Sequence, residues 1–240
     1  MSRSRKPALG RPLFAVSVSA LGVLDFVYRD TLMWKVLPKS VSPSAASVLA
    51  LATGVMLIAS GVGLLTPLVK APASRILLAF LLLWDILIGI PPVVASPGTE
   101  LPWLVLGMMT IVLMAGWLLS GQGELRTTRT VVGLSLIPVG LSHFYYLQTT
   151  LDLVPAWMPG RLVWVYVAGG AHVAAGLGLL LGIVPRLAAI LEACMLLAFA
   201  ALVWVPRVIT EPGKHFNWTE LLGTVTIGAA MWVVADYGSG

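Results

Sequence analysis

Eight apolar runs, each close to the ~20 residues that cross a bilayer core, follow one another along this chain with only short connections between them. They fall at about 12–28, 46–66, 74–95, 101–120, 130–148, 162–182, 186–206 and 217–237. In lipid every backbone N–H and C=O must find its partner inside the structure, which leaves helices or a closed barrel. The runs are unbroken, without the alternation of barrel strands, so a barrel is excluded. Composition agrees: 10% of residues are charged, against ~25% in ordinary soluble domains. The expected fold class is an all-α polytopic membrane protein; disorder and a soluble Rossmann-type enzyme are excluded. A single cysteine, Cys194, excludes an internal disulfide and a Cys-x-x-Cys redox pair. The net charge of +5 calls for no nucleic acid, because basic residues flank membrane helices anyway. The bilayer is the expected partner.

Two features of the ends follow. Arg3, Arg5 and Lys6 before an apolar run, with Ser17-Val18-Ser19 behind, have the outline of a secretory signal. A mid-chain copy of the same segment makes retention as a membrane helix the expectation. With the N-terminus inside, nine basic residues (Arg3, Arg5, Lys6, Arg11, Lys70, Arg75, Arg126, Arg129, Arg186) lie on the cytoplasmic face. Six (Arg29, Lys35, Lys39, Arg161, Arg207, Lys214) lie opposite. That bias orients both termini toward the cytoplasm and makes the chain a multi-pass protein of the cell membrane.

The two halves resemble each other. Gly22-Val23-Leu24-Asp25-Phe26-Val27-Tyr28 aligns with Gly140-Leu141-Ser142-His143-Phe144-Tyr145-Tyr146. Gly54 and the run Gly61–Leu65 match Gly169 and Gly176–Leu180, Pro97-Gly98 matches Pro212-Gly213, and Gly107 matches Gly223. One unit is four helices, residues 1–125 and then 126–240. An even number of crossings returns the chain to its starting side, so the two four-helix units run parallel, related by an axis along the membrane normal.

Ionisable groups inside the spans are the informative ones, because each costs ~2.5–3.5 kcal/mol to insert at a helix centre and is normally paired, neutralised or functional. Five qualify: Asp25, Asp85, His143, His172 and Glu192. Counted at ~1.5 Å per residue, Asp25 and His143 lie about 20 Å deep, Asp85 and His172 about 15–17 Å, and Glu192 about 9 Å. One reading is a proton-handling or quinone-head-group site, since a histidine beside a carboxylate titrates near physiological pH. The other is helix association, at ~0.6 kcal/mol per polar contact. The two membrane histidines offer a single pair for haem ligation. A metal site would need Glu192 to climb ~6–8 Å, so none is expected. Gly170, Ala174, Gly178 and Gly182, with a second line Ala168, His172 and Gly176, read as helix-packing faces. Trp34, Trp103, Trp157 and Trp218 read as interfacial anchors.

The second half resembles the DoxX-like membrane protein family. The likeness rests on Gly140-Leu141-Ser142-His143-Phe144, Leu153-Val154-Pro155-Ala156-Trp157-Met158-Pro159-Gly160 and Gly170-Ala171-His172-Val173-Ala174-Ala175-Gly176-Leu177. It continues through Arg186-Leu187-Ala188-Ala189 with Glu192 following, and Trp218-Thr219-Glu220-Leu221, so that it covers about residues 133–237. The first half looks like a diverged copy. The resemblance implies a four-helix unit associated with quinone-linked redox or oxidative-stress assemblies, and carries over His143, His172, Glu192 and Glu220. Two departures stand out: Trp204 where such sequences often have a histidine, and Asp25 at the position of His143. A histidine site then exists at most once per chain.

The leading expectation is an accessory subunit of quinone-linked redox chemistry, beside a redox-enzyme partner. His143 and His172 would bind or exchange protons with a quinone head group, Glu220 would belong to the same cofactor site, and Glu192 would connect it toward the cytoplasm. The alternatives are a proton-coupled permease for a small solute, with Asp25, Asp85, His143 and His172 along a polar path, and a non-catalytic scaffold.

Overall fold

The computed structural model describes residues 9–30 and 42–238. Arg3, Arg5, Lys6, Trp34, Lys35 and Lys39, which entered the readings of topology and anchoring, lie outside the described residues. Among the described residues the chain forms helices and no strand. They are α1 (Gly10–Tyr28), α2 (Pro43–Leu65), α3 (Lys70–Ala95), α4 (Glu100–Leu119), α5 (Leu125–Tyr145), α6 (Leu147–Leu153), α7 (Arg161–Leu181), α8 (Pro185–Thr210) and α9 (His215–Tyr237). Seven are long and apolar enough to cross a membrane alone, and α5 with α6 makes an eighth if that bent pair is counted as one span. The chain is an all-α, multi-pass membrane protein.

The fifth run departs from the single straight span expected at 130–148. Its helix stops at Tyr146, whose backbone leaves the helical region, and α6 continues after a 90° bend. Gln148, Thr149, Thr150 and Asp152 explain the turn, because their polar side chains cannot continue into lipid. α6 has no fully buried residue.

Both halves use the same devices. α3 and α8 each contain one π-helical turn, Asp85–Gly89 and Ala200–Trp204. Trp103 Nε1 donates to the Pro97 carbonyl at 3.0 Å and Trp218 Nε1 to the Pro212 carbonyl at 2.9 Å, closing equivalent loops. The first two helices of each half cross at paired glycines. A Cβ on Gly22 would lie 2.6 Å from the Gly54 carbonyl oxygen, and one on Gly140 would lie 2.7 Å from that of Gly169. Lipid gives two helices no hydrophobic reason to associate, so backbone-to-backbone approach through small residues supplies the attraction.

The long helices close into a ring in which α4 packs on α5 and α9 packs on α1, while α4 and α9 also meet at the centre. Phe14, Met109, Ile111, Leu118 and Met231 fill that centre and are at most 1% exposed. Long-range hydrogen bonds tie the last helix in: Tyr237 Oη donates to the mid-chain Leu118 carbonyl at 2.8 Å, and Gly10 N donates to Asp236 at 2.8 Å. Such a ring holds the second half's polar helices, α5, α7 and α8, side by side on one flank.

Candidate functional site

His143 stands one turn above its own carbonyl partner on α5. Its Nδ1 lies 3.1 Å from the Val139 carbonyl oxygen. A carbonyl only accepts, so Nδ1 carries the proton in that bond and Nε2 is the nitrogen left to work with. On α7, His172 is 1% exposed and shares a 2.7 Å hydrogen bond through Nδ1 with Glu192 Oε1 of α8. Glu192 is itself 1% exposed, and its other oxygen, Oε2, is buried with no hydrogen-bond partner among the described residues. The two imidazoles meet at 5.0 Å between ring centroids, tilted by 43°. Three helices therefore contribute one side chain each to a continuous row, His143, His172 and Glu192.

Glu192, about 9 Å along its helix against about 15–17 Å for His172, nevertheless lies within hydrogen-bond reach of it. The turn at Gly182–Val184 sets α7 directly against α8, and a glutamate side chain spans the few ångströms of stagger that remain. Among the described residues no three His, Cys, Asp or Glu side chains converge as metal ligands.

A cavity of about 340 Å³ lies against His143. Its walls are apolar and aromatic: Val154, Trp164, Ala168, Phe199 and Trp204. The π turn is what brings the last two together. An α-helix rotates ~100° per residue and would set residues five apart on different sides. The wider i→i+5 turn brings them toward one face, and Phe199 and Trp204 both line the cavity. Phe199 also touches His172 with its edge, at 6.2 Å between centroids. Trp204 is 6% exposed and braced from behind by Phe216 at 5.9 Å and the Arg207 guanidinium at 5.5 Å.

The cavity's roof is α6 and the loop after it. Arg161 holds that segment by donating to the Val154 carbonyl at 3.1 Å and to the Leu151 carbonyl. Arg207 donates to the Asp152 carbonyl at 2.8 Å, and its own carbonyl accepts from Asn217 at 3.1 Å. These arginines bond carbonyls at and just beyond the end of α6, where helix carbonyls run short of intrahelical partners. Beyond α8, a hydrogen bond from Lys214 holds the Glu211 carboxyl below its ordinary range, and both side chains of this pair are exposed.

The other expected residues fall elsewhere. Asp25 is buried at 2% exposure and accepts a 2.9 Å bond from Thr53. Asp85, at the start of the first π turn, accepts one of 3.0 Å from Thr110. Neither lines the cavity at His143, and Glu220, half-buried on α9, does not line it either. Sequence reasoning does not single out Trp204, Phe199, Arg161 or Arg207 as site residues: the two arginines read only as topology charges, and Trp204 only as a departure from a histidine.

A family described as Domain of unknown function (DUF8561) matches residues 132–203, under a third of the chain. The match begins in α5 and ends inside the second π turn, so it contains His143, His172 and Glu192. No curated protein and no solved structure matches the chain.

Proposed function

We propose that this is a DoxX-like protein of the cell membrane, both termini cytoplasmic, that holds a quinone head group and exchanges protons with it as an accessory subunit beside a redox enzyme. The observation that carries the reading is the position of His143: an imidazole on the wall of an otherwise apolar, aromatic-sided cavity, backed by a buried His172–Glu192 pair. Ligand sites for small molecules are commonly 300–1,000 Å³, mostly apolar, with a few polar groups that set orientation. The residues present fit such a group. Phe199 and Trp204 offer faces to a flat ring, and His143 Nε2 offers one hydrogen-bonding position to a ring oxygen. A quinone would supply reversible two-electron, two-proton chemistry, with electrons passing to or from the partner enzyme.

The chain's own part is protonic. Val139 holds one nitrogen of His143, so the imidazole exchanges protons through the other. His172 lies in ring contact behind it and feels any charge that His143 gains. Glu192 orients His172 and supplies the counter-charge, which a buried imidazolium needs. Its unpartnered Oε2 is the next acceptor along the row.

The test is retention of quinone by detergent-purified protein, by solvent extraction and chromatography, beside a His143→Ala/His172→Ala variant. Quinone in the parent and none in a variant with an unchanged melting profile supports the reading. Absence from both, even after incubation with an excess, removes it. A polar solute path through Asp25 and Asp85 would instead register as uptake in proteoliposomes.

A further inference from the structure

The cavity has one closed side and one open side. On the aqueous side the roof residues Thr150, Leu153, Val154 and Met158 are all partly covered, and Arg161 and Arg207 pin the segment by its carbonyls. On the flank the opposite holds. Trp164 and Val167 of α7 are 46% and 52% exposed, and Leu202 of α8 is 43% exposed, although all three line the cavity. Ala198, which lines the cavity from the same helix as Leu202, is exposed as well. Val167 and Ala198 both stand inside the apolar spans, Arg161–Leu181 and Pro185–Thr210. Near the turn the two helices close tightly, with a Cβ on Gly178 falling 3.3 Å from Ala188 Cβ. Toward their other ends the space between them is the cavity.

From this we infer that the site takes its ligand sideways out of the bilayer, and that the ligand carries an apolar chain which leaves between α7 and α8 past Val167 and Leu202. The inference rests on the quinone-site reading and adds the ligand's form and its route. A ring alone would use His143, Phe199 and Trp204 and leave an apolar slot beside them facing lipid. A chain attached to that ring fills the slot and continues among the lipid tails, where it loses little freedom. A water-borne, tail-less aromatic would have to displace a roof whose carbonyls are already bonded. Burial of each chain methylene in the slot adds to affinity in the ordinary way for apolar surface, while His143 alone orients the head.

The experiment measures binding of a benzoquinone bearing a decyl chain and of the same ring without the chain. It uses equilibrium dialysis in detergent micelles, with protein-free micelles subtracted. The variants are Val167→Trp and Leu202→Trp, which narrow the flank without touching His143, and Leu187→Trp, an equally lipid-facing position on α8 away from the mouth. The expected result is a loss of about tenfold or more for the chain-bearing quinone in the first two variants. The bare ring should stay within about twofold of the parent in all three, and Leu187→Trp should change neither ligand. Equal effects on both ligands, or none on either, overturn the sideways route and leave the quinone site standing, because the parent binds. Failure of the parent to bind either ring overturns the quinone site itself, and this inference with it.

Discussion

The two halves of the chain share a skeleton and differ in what it carries. The paired glycines, the π turn and the tryptophan that closes a loop on a proline carbonyl occur in both. At the positions of His172 and Glu192, however, the first half has Leu57 and Leu77, 2% and 0% exposed and part of its core. At the position of His143 it has Asp25, bonded to Thr53. At the position of Trp204, where the second half stacks an aromatic wall, it has Gly89. The bundle's shape therefore needs none of the three site residues. A pair of leucines fills the same space, and without desolvating a charge. The second half keeps a buried histidine–carboxylate pair in a place where the fold is content with hydrocarbon.

The largest expected effect tests the shared half of this comparison. Gly54→Leu and Gly169→Leu each put a side chain into the opposing helix's backbone, where even a Cβ would stand 2.8 or 2.9 Å from a carbonyl oxygen. Each should cost about 4 kcal/mol or more, or prevent folding, as seen by thermal unfolding in detergent. Tolerance of one and intolerance of the other would show that the two crossings are not equivalent.

Next comes the pair itself. Glu192→Leu alone leaves His172 buried without its partner and should cost about 3 kcal/mol. The double change His172→Leu/Glu192→Leu copies the first half and should fall within about 1 kcal/mol of the parent, while abolishing quinone retention. A double variant as unstable as the single one would mean that the pair holds the bundle together, which is the scaffold reading.

Much of this organisation was open to sequence reasoning, and the remainder was hidden for identifiable reasons. Apolar runs of bilayer length announce spans because lipid admits little else, and the ordered landmarks Gly22, Gly54 and Pro97-Gly98 with their later copies announce the repeat. The contact between His172 and Glu192 was hidden because depth along a helix ignores side-chain reach and the set of the α7–α8 turn. The π turns were hidden because widening a helix by one residue per turn changes no residue type, only which ones share a face. The bend at Tyr146 was half visible, in the polar residues that follow it. Arg161 and Arg207 counted correctly as basic residues at span ends, yet their carbonyl partners come from the chain's return over the cavity, which no local pattern encodes.

A smaller effect separates the chemistry from the packing. His143→Ala removes a partly buried ring whose hydrogen bonds, to the Val139 carbonyl and the Ser142 hydroxyl, both lie within its own helix. Stability should fall by about 1 kcal/mol or less, while affinity for quinone should fall about tenfold, equivalent to ~1.4 kcal/mol. Asp25→Ala at the equivalent position leaves the Thr53 hydroxyl with the Ala50 carbonyl alone and should cost about 1 kcal/mol of stability with quinone affinity unchanged. Equal loss of affinity in both variants would place Asp25 within reach of the same ligand and revive a path shared by the two halves.

The smallest effect is also the most symmetrical. Trp103→Phe and Trp218→Phe each delete one indole N–H bond to a proline carbonyl and keep most of the ring's apolar surface. Both bonds are exposed, so each should be worth about 0.5–1 kcal/mol, and the two variants should lower the melting temperature by similar amounts. The second loop sits nearer the site, because Trp218 follows Phe216, which braces Trp204, and Asn217, which bonds to Arg207. If Trp218→Phe weakens quinone binding while Trp103→Phe does not, a device that both halves use for shape has been recruited in one of them to hold an aromatic wall. Should neither touch binding, the bracing of Trp204 rests on Arg207 and Phe216 alone, and the loop is scaffold in both halves.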